Sequence, residues 1–269
     1  RTSEKLVYEQ IKKDLEFAVD LLPKTYAASD RTRPNKFAAK AVLSRVYLYM
    51  QLWEEASNAA SAVLNQTDLY SWPSSLNTIF EKQSLATIWQ FSPALTGANT
   101  YEGNIFIFLQ GPPPSVGISQ DLLNTFSSDV LRKAQWLKTV SNGSSAWVHA
   151  YKYKRQSNTG TSVEYSVILR LAEQYLIRAE SRAHTGDLIG AKQDLNMTRN
   201  LAGLNNTSAV SAEEILQEVM MERRKELFTE FGHRFFDLKR TGSIDEILVK
   251  TKPQWNTTDK LLPIPESEL

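Results

Sequence analysis

The chain has 269 residues, of which 42% are hydrophobic and 23% charged, and this composition is that of a folded globular protein. Lys and Arg number 31 against 30 Asp and Glu, so the net charge of +1 excludes the general electrostatic attraction that nucleic acid or an anionic membrane would require. The absence of cysteine excludes disulfides, thiol nucleophiles and thiolate metal sites.

The chain begins at Arg1, with neither an initiator Met nor the apolar segment of a signal peptide. No stretch approaches the roughly 18 consecutive apolar residues of a membrane span. We therefore expect a processed protein or an excised piece. Any targeting signal or lipidated cysteine would have belonged to the removed part.

Three helices are predicted in the first quarter of the chain. The first ends at Pro23 and is indicated by an apolar stripe that consists of Val7, Ile11, Leu15, Ala18 and Leu22. After a polar loop, residues 36–50 and 54–64 form two more helices, with a break at 51–53. The small side chains of Ala56, Ala59 and Ala60 let two helix backbones approach closely. Residues 34–65 are therefore predicted to form an antiparallel hairpin that resembles a tetratricopeptide-type repeat.

The middle region, residues 66–162, has no helical period. Residues 85–91 and 105–109 are rich in β-branched and aromatic side chains and indicate short strands, while residues 111–114 enforce an extended turn. A short helix is predicted near residues 121–126. Because long loops in a compact protein are more often functional than accidental, this region is the predicted ligand region.

A second helical hairpin is predicted at residues 163–201. Residues 163–184 form a long helix, Gly186 and Asp187 turn the chain, and a further helix follows through Ala191 and Leu195. The predicted fold is mainly α, with tetratricopeptide-like hairpins, long irregular loops and a few short strands. We expect one domain that spans residues 1–269.

A helix is also predicted at residues 213–231, where Arg223 and Arg224 interrupt an apolar stripe. At least one of these arginines must face inward, and a buried charge costs several kcal/mol unless it is paired. The sequence offers several nearby carboxylates as partners: Glu222, Glu226, Glu230 and Asp237. A catalytic acid and base pair is the alternative interpretation, but one helix face gives no sign of two carboxylates across a cleft.

The region 213–242 also contains a dense motif, and its members are Glu222, Arg223, Arg224, Glu226, Gly232, Arg234, Asp237 and Arg240. Seven other segments occur in a consistent order: 36–64, 87–90, 99–103, 122–126, 151–154, 169–173 and 262–265. Together they resemble the SusD/RagB family of nutrient-binding outer-membrane lipoproteins, and the resemblance covers most of the chain.

This resemblance implies an α-helical, non-catalytic protein without cofactors, which lies on the surface of the outer membrane of a Gram-negative bacterium through an N-terminal lipid anchor. Members bind oligosaccharides, or in some cases peptides, and deliver them to a TonB-dependent transporter of the SusC type. Members are usually longer than this chain. We therefore expect that an N-terminal part is absent here, either because the chain was cut or because it is a short variant.

Glycan binding needs aromatic rings that stack on sugar faces and planar polar groups that bind hydroxyls. The predicted ligand-binding residues lie in turn-rich segments: Tyr70, Trp72, Tyr101, Trp147 and Trp255. Three amide side chains, Asn77, Asn99 and Asn104, are near the first four in sequence. Ordinary packing is the alternative for each aromatic residue, and for Trp89 and Trp136 packing is the preferred interpretation.

Motifs of enzymes are absent from the sequence, which has no nucleophile elbow, P-loop, dinucleotide fingerprint or zinc-protease motif. The three histidines, His149, His184 and His233, lack the spacing of metal ligands. No catalytic residue, cofactor or metal is therefore predicted. The rival to glycan binding is a helical-repeat adaptor whose aromatic loops contact another protein. Oligosaccharides should change the Trp fluorescence of a glycan binder and leave that of an adaptor unchanged.

Overall fold

A computed structural model describes residues 2–263 and 265–268, with the backbone alone given for Glu268. The chain divides into two compact units, Arg1–Glu226 and Leu227–Leu269, here called unit 1 and unit 2. The expectation of one domain over residues 1–269 stays a prediction.

Unit 1 begins with three helices, α1 (Glu4–Leu21), α2 (Lys36–Tyr49) and α3 (Trp53–Leu64). The Asn35 side-chain oxygen caps α2, because it accepts hydrogen bonds from the backbone N–H groups of Phe37 and Ala38 at 3.0 and 2.9 Å. Ala56 and Ala60 of α3 are fully buried. The three predicted helices and the hairpin of α2 and α3 are confirmed.

Between α3 and residue 171 the chain forms one strand and three short α-helices, followed by a two-stranded hairpin and one more strand. In chain order these are β1 (Thr87–Phe91), α4 (Tyr101–Phe106), α5 (Gln120–Thr125), α6 (Val130–Trp136), β2 (Leu137–Asn142), β3 (Ser145–Ala150) and β4 (Ser166–Arg170). Strand β1 pairs with β4 and β2 pairs with β3, both antiparallel. The predicted strand at 105–109 is wrong, because Thr100 caps α4 and the helix continues to Phe106.

The remaining helices of unit 1 are α7 (Leu171–His184), α8 (Leu188–Leu201) and α9 (Ala212–Glu226). The predicted helix at 163–184 needs correction, since residues 166–170 form β4 and only then does the chain become helical. Val167 and Leu169 alternate into the core from this strand. Helix α7 packs against α2, α3, α8 and α9 and is the centre of unit 1. The pair of α7 and α8 is the second tetratricopeptide-like hairpin.

Helix α1 packs on α2 but has no buried side chain. Val7 and Ile11 of the predicted apolar stripe are 44% and 37% exposed. Leu15, Ala18 and Leu22 of the same stripe are half-buried. Self-association through the exposed apolar residues of α1 is an expectation that follows from this face, and it stays a prediction.

Unit 2 contains α10 (His233–Arg240) and α11 (Ile244–Thr251). The predicted helix at 213–231 is too long, because Thr229, Phe231 and Gly232 have positive φ angles of 61°, 40° and 70°. A helix cannot pass through such a backbone.

The signature residues of unit 2 lie on or beside α10. Gly232 provides its left-handed N-cap, Asp237 is buried, and its Oδ1 accepts from Nε of Arg240 at 2.9 Å. Arg234 is half-buried. Of the family-like segment 262–265, Ile264 lies outside the described residues. Among the described helices, none is both long and apolar enough to cross a bilayer.

Candidate functional site

A surface groove in unit 1 lies beside the start of α4. Its first lobe has a volume of about 510 Å³ and an apolar wall that includes Phe91, Leu95 and Tyr101. Phe91 ends β1 opposite Ser166 of β4 and is 51% exposed. The Thr100 hydroxyl accepts from the Gly103 N–H at 3.0 Å, which begins α4 at Tyr101. The Tyr101 side chain is 74% exposed and lines the groove.

Polar side chains without charge complete the first lobe. Asn104 lies three residues after Tyr101 and therefore on the same side of α4. Its amide is exposed and makes no hydrogen bond within residues 2–263 and 265–268. The Gln156 Nε2 donates to the Ile107 carbonyl at 2.7 Å, which orients the side chain and leaves its oxygen available. The lobe can thus donate to and accept from hydroxyl groups.

Asn99 holds the wall of the groove together. Its Nδ2 donates to the Ser157 carbonyl and the Thr159 hydroxyl, each at 2.9 Å. Its Oδ1 accepts from the N–H groups of Val163 and Glu164 at 3.0 and 3.1 Å. Because both ends of the amide are used, Asn99 fixes the segment 157–164 rather than offering groups to a ligand.

A second lobe of about 670 Å³ adjoins the first. The two share Asn104 and Gln156 and so form one elongated groove, and the second is also lined by Leu109, Gln110 and Pro112. The backbone at both lobes is closely packed.

Two glycines permit this packing. A Cβ at Gly111 would lie 2.1 Å from the Trp147 ring, and a Cβ at Gly103 would lie 2.3 Å from the Arg155 carbonyl oxygen. Trp147 therefore supports the loop of the second lobe, and α4 can approach the 155–158 segment only because residue 103 is glycine.

Among the five predicted ligand-binding residues, Tyr101 alone lines the groove. Tyr70 is a correction: it is 4% exposed, its hydroxyl lies 2.6 Å from that of Tyr26, and its ring belongs to the hydrophobic core. Trp72 is half-buried and packs edge-on against Tyr175, with ring centroids 5.0 Å apart. Trp147 is half-buried beneath Gly111.

Trp255 lies in unit 2, beside a separate hollow of about 690 Å³. Its indole Nε1 donates to Asp245 Oδ1 at 3.0 Å, and Lys260 Nζ lies 3.0 Å from Oδ2 of the same carboxylate. These two hydrogen bonds lower the pKa of Asp245. Trp255 therefore has a fixed orientation in its own hollow, and its role in ligand binding stays a prediction.

Of the two tryptophans interpreted as core, Trp136 is fully buried. Trp89 is half-buried and packs edge-on against Phe91, with ring centroids 5.0 Å apart.

The groove also uses residues that the sequence analysis missed, notably Phe91, Leu109, Gln110 and Gln156. Phe91 ends the segment 85–91, which the sequence predicts as a short strand, and in the structure Phe91 is exposed whereas Gln90 is buried. Gln156 has no local signal, because segments far apart in sequence bring it beside Asn104. The asparagines at 99 and 104 were predicted near Tyr101, and both line the first lobe.

The buried ions of the signature region form a second polar site in unit 1, centred on the fully buried Arg132 of α6. Its guanidinium donates to Asp129 at 2.7 Å and to Glu222 and Glu226 at 2.6 Å each. Arg170 adds a hydrogen bond to Glu226 at 2.5 Å. The prediction of a buried network is thus supported, but Arg132 and Arg170 were not among the expected partners.

Glu226 is the most constrained carboxylate of this network. Burial by itself raises its pKa, but the positive charges of Arg132, Arg170 and Lys152 outweigh burial and lower the pKa to about 2. Arg223 is buried, as expected for at least one of the two neighbouring arginines, whereas Arg224 is half-buried and pairs with Asp121.

Comparison with known proteins gives two family matches. Residues 136–269 match the profile of the SusD family, and residues 1–48 match a SusD-like profile described as starch-binding and associating with the outer membrane. The two matches together span more than half of the chain. In the part of the chain that the structure describes, no cluster of three His, Asp or Glu side chains could hold a metal ion.

Individual relatives are similar over nearly the whole chain. SusD-like protein P2 of Formosa agariphila is 26% identical, and the alignment covers all of this chain and 63% of the relative. A SusD superfamily structure from Bacteroides vulgatus has a TM-score of 0.78 at 22% identity, covering 93% of this chain and 60% of its own. A laminarin-binding SusD-like protein has a TM-score of 0.78 at 22% identity, covering 99% and 67%. The chain therefore spans less than two thirds of the first two relatives.

Proposed function

The chain belongs to the SusD family, and from this premise we propose that it binds oligosaccharides without catalysis, in the groove beside α4, and delivers them to a TonB-dependent transporter. The observation that carries the proposal is the exposed ring of Tyr101 next to the Asn104 amide, which has no hydrogen bond within the described protein. A sugar ring offers an apolar C–H face and equatorial hydroxyls. The Tyr101 ring can stack on the C–H face, and the Asn104 amide can form hydrogen bonds with the hydroxyls.

The composition of the groove supports binding rather than hydrolysis. A glycosidase needs two carboxylates on opposite sides of the scissile bond. No Asp or Glu is among the described residues that line either lobe. The carboxylates of the buried network, such as Glu222 and Glu226, are enclosed by cationic side chains in the interior and are not available to a substrate.

A glycan ligand is also consistent with the known members. One relative of the same fold is a laminarin-binding SusD-like protein, and the profile matched by residues 1–48 is described as starch-binding. Either polysaccharide consists of sugar rings that could occupy an elongated groove. We take the two joined lobes as the place where a chain of several sugars lies.

The same family membership supports the place and the partner. The protein lies at the outer membrane on the cell surface, held by a lipid anchor on its full-length form, and its partner is a transporter of the SusC type. An adaptor function that involves protein partners alone would leave the sugar-compatible groove without a use, whereas a peptide could occupy the same groove. Titration with oligosaccharides separates these hypotheses, because only a glycan binder should bind them through Tyr101 and Asn104.

Isothermal titration calorimetry with laminarin, starch, xylan and mannan oligosaccharides tests the proposal. We expect binding of at least one glycan, a loss of tenfold or more with Tyr101→Ala, and near-normal affinity with Tyr101→Phe, which keeps the ring. Trp72→Ala is the control, because Trp72 packs on the core outside the groove. Binding that survives Tyr101→Ala but is lost with Trp72→Ala would place the site elsewhere.

A further inference from the structure

None of the described residues that line the groove has a carboxylate, ammonium, guanidinium or imidazole side chain. Fourteen described residues line the first lobe and ten line the second, with Asn104 and Gln156 common to both, and none of them is Asp, Glu, Lys, Arg or His. In the whole chain 23% of residues are Asp, Glu, Lys or Arg. A random set of this size would contain roughly five such residues, more on a surface, where charged residues concentrate.

One other hollow of unit 1 is lined differently. A neighbouring hollow of about 280 Å³ is lined by seven residues, and five of them are charged: Glu81, Lys82, Lys154, Arg155 and Glu164. Arg155 lines that hollow, whereas the next residue, Gln156, lines the groove. The chain therefore separates charged from uncharged side chains between two adjacent surfaces.

One charged side chain beside the groove, that of Glu102, is engaged by a hydrogen bond. Glu102 lies between Tyr101 and Gly103 on α4, but it is not part of the lining. Its carboxylate accepts a hydrogen bond at 2.8 Å from the hydroxyl of Ser166, which lines the first lobe. An aromatic ring and an amide, from Tyr101 and Asn104, face the groove on either side of this position.

An uncharged lining has a direct consequence for the ligand. A carboxylate or sulfate that enters the groove loses part of its hydration, and none of the described lining residues can replace it with a positive charge. A hydroxyl group loses little free energy when it leaves water, because an amide in the groove both donates and accepts hydrogen bonds and so replaces those to water. A lining of this type therefore separates ligands by charge and not by size.

We infer that the groove selects neutral oligosaccharides and discriminates against those that contain uronic acids or sulfate. This inference rests on the proposed function and narrows it to one class of glycan. The two lobes, joined at Asn104 and Gln156, accept a chain of uncharged sugars.

Matched ligands test the selection. The probes are the neutral hexasaccharide that binds best and the same compound after oxidation of its primary hydroxyls to carboxylates. By calorimetry, we expect the oxidised form to bind at least tenfold more weakly. The affinity for the neutral form should change less than twofold between 20 and 300 mM NaCl, because no ion pair forms. Equal or tighter binding of the oxidised form, abolished by Tyr101→Ala, would overturn the inference while leaving glycan binding intact.

A charge introduced into the groove provides the second arm. Asn104→Lys should raise the affinity for the oxidised hexasaccharide about tenfold relative to the neutral one. The control is Gln83→Lys, which makes the same charge change in the neighbouring hollow and should leave both affinities unchanged. No gain with Asn104→Lys would count against the inference. If no glycan of either kind binds the parent chain, the proposed function and this inference both fail.

Discussion

Unit 1 contains two polar regions that differ in almost every physical respect. Around Arg132, ionised side chains of α6, β4 and α9 are buried and joined by short hydrogen bonds. The groove beside Tyr101 is open to water, yet its described lining has no ionised side chain. The charges thus lie where water is absent, and the uncharged polar groups lie where a ligand could enter.

The difference shows how charge is divided between stability and binding. A buried ion network is tolerable only when every member is satisfied, and it then ties its helices to one arrangement. An open groove with neutral amides pays no such penalty and can exchange water for sugar hydroxyls. Glu222 and Glu226, for which a catalytic pair is the alternative interpretation, are therefore best explained by folding.

Removal of Arg132 should have the largest effect of any change considered. Arg132→Ala leaves Asp129, Glu222 and Glu226 without their main partner in the interior. We expect a loss of about 3 to 5 kcal/mol in the free energy of unfolding, measured by urea denaturation. Arg33→Ala is the matched control, since Arg33 is exposed and outside this network. A similar loss for both variants would contradict the role of the network.

Acid should lower the free energy of unfolding through the same ion network around Arg132. The pKa of Glu226 is about 2 in the folded chain against an ordinary 4.5, so between these values the unfolded state binds more protons. The contribution of Glu226, about 3 kcal/mol, is present above pH 4.5 and is lost as pH falls toward 2. Urea denaturation at pH 7, 5, 4 and 3 measures this slope.

The control for the acid effect uses the same helix. Glu226→Gln should flatten the dependence of stability on pH between 5 and 3, whatever its effect at neutral pH. Glu213→Gln, at an exposed position in the first turn of α9, should leave the slope as in the parent. An unchanged slope in Glu226→Gln would show that other carboxylates carry the acid sensitivity.

The groove depends on a close backbone contact, and Gly103→Ala tests it. The added methyl group would lie 2.3 Å from the Arg155 carbonyl oxygen, so α4 must shift. We expect a loss of about 1 to 3 kcal/mol in stability and weaker glycan binding. Gly117→Ala is the control, because its methyl group would make an ordinary contact at 3.5 Å. Full affinity in Gly103→Ala would show that the position of α4 does not shape the site.

The smallest effect is expected from Asn104→Ala. Its amide makes no hydrogen bond within the described protein, so the free energy of unfolding should be unchanged. One lost hydrogen bond to a sugar corresponds to about 1 kcal/mol, or roughly fivefold in affinity. Asn77→Ala, at an exposed asparagine outside the groove, is the comparison. Equal affinities for the two variants would remove Asn104 from the site.

Several features were predictable because they are local. The hairpin of α2 and α3, the helix α8 and the inward position of at least one of Arg223 and Arg224 all follow from the spacing of apolar residues along one chain segment. The prediction was less accurate where pairing with a distant segment overrides the local preference for a helix. Residues 166–170 have a helical pattern, but pairing with β1 makes them a strand, and this partner lies far away in sequence.

The sequence by itself therefore determined the helical class, the two hairpins, the family and the need to bury an arginine near Glu222. Only the tertiary structure decided that Arg132, 94 residues before Glu226, completes the ion network. It also decided that Tyr101, Asn104 and Gln156 share an uncharged groove, while Tyr70 belongs to the core. The physical reason is range: periodicity records local burial, whereas charge pairing and pocket shape depend on contacts between distant segments.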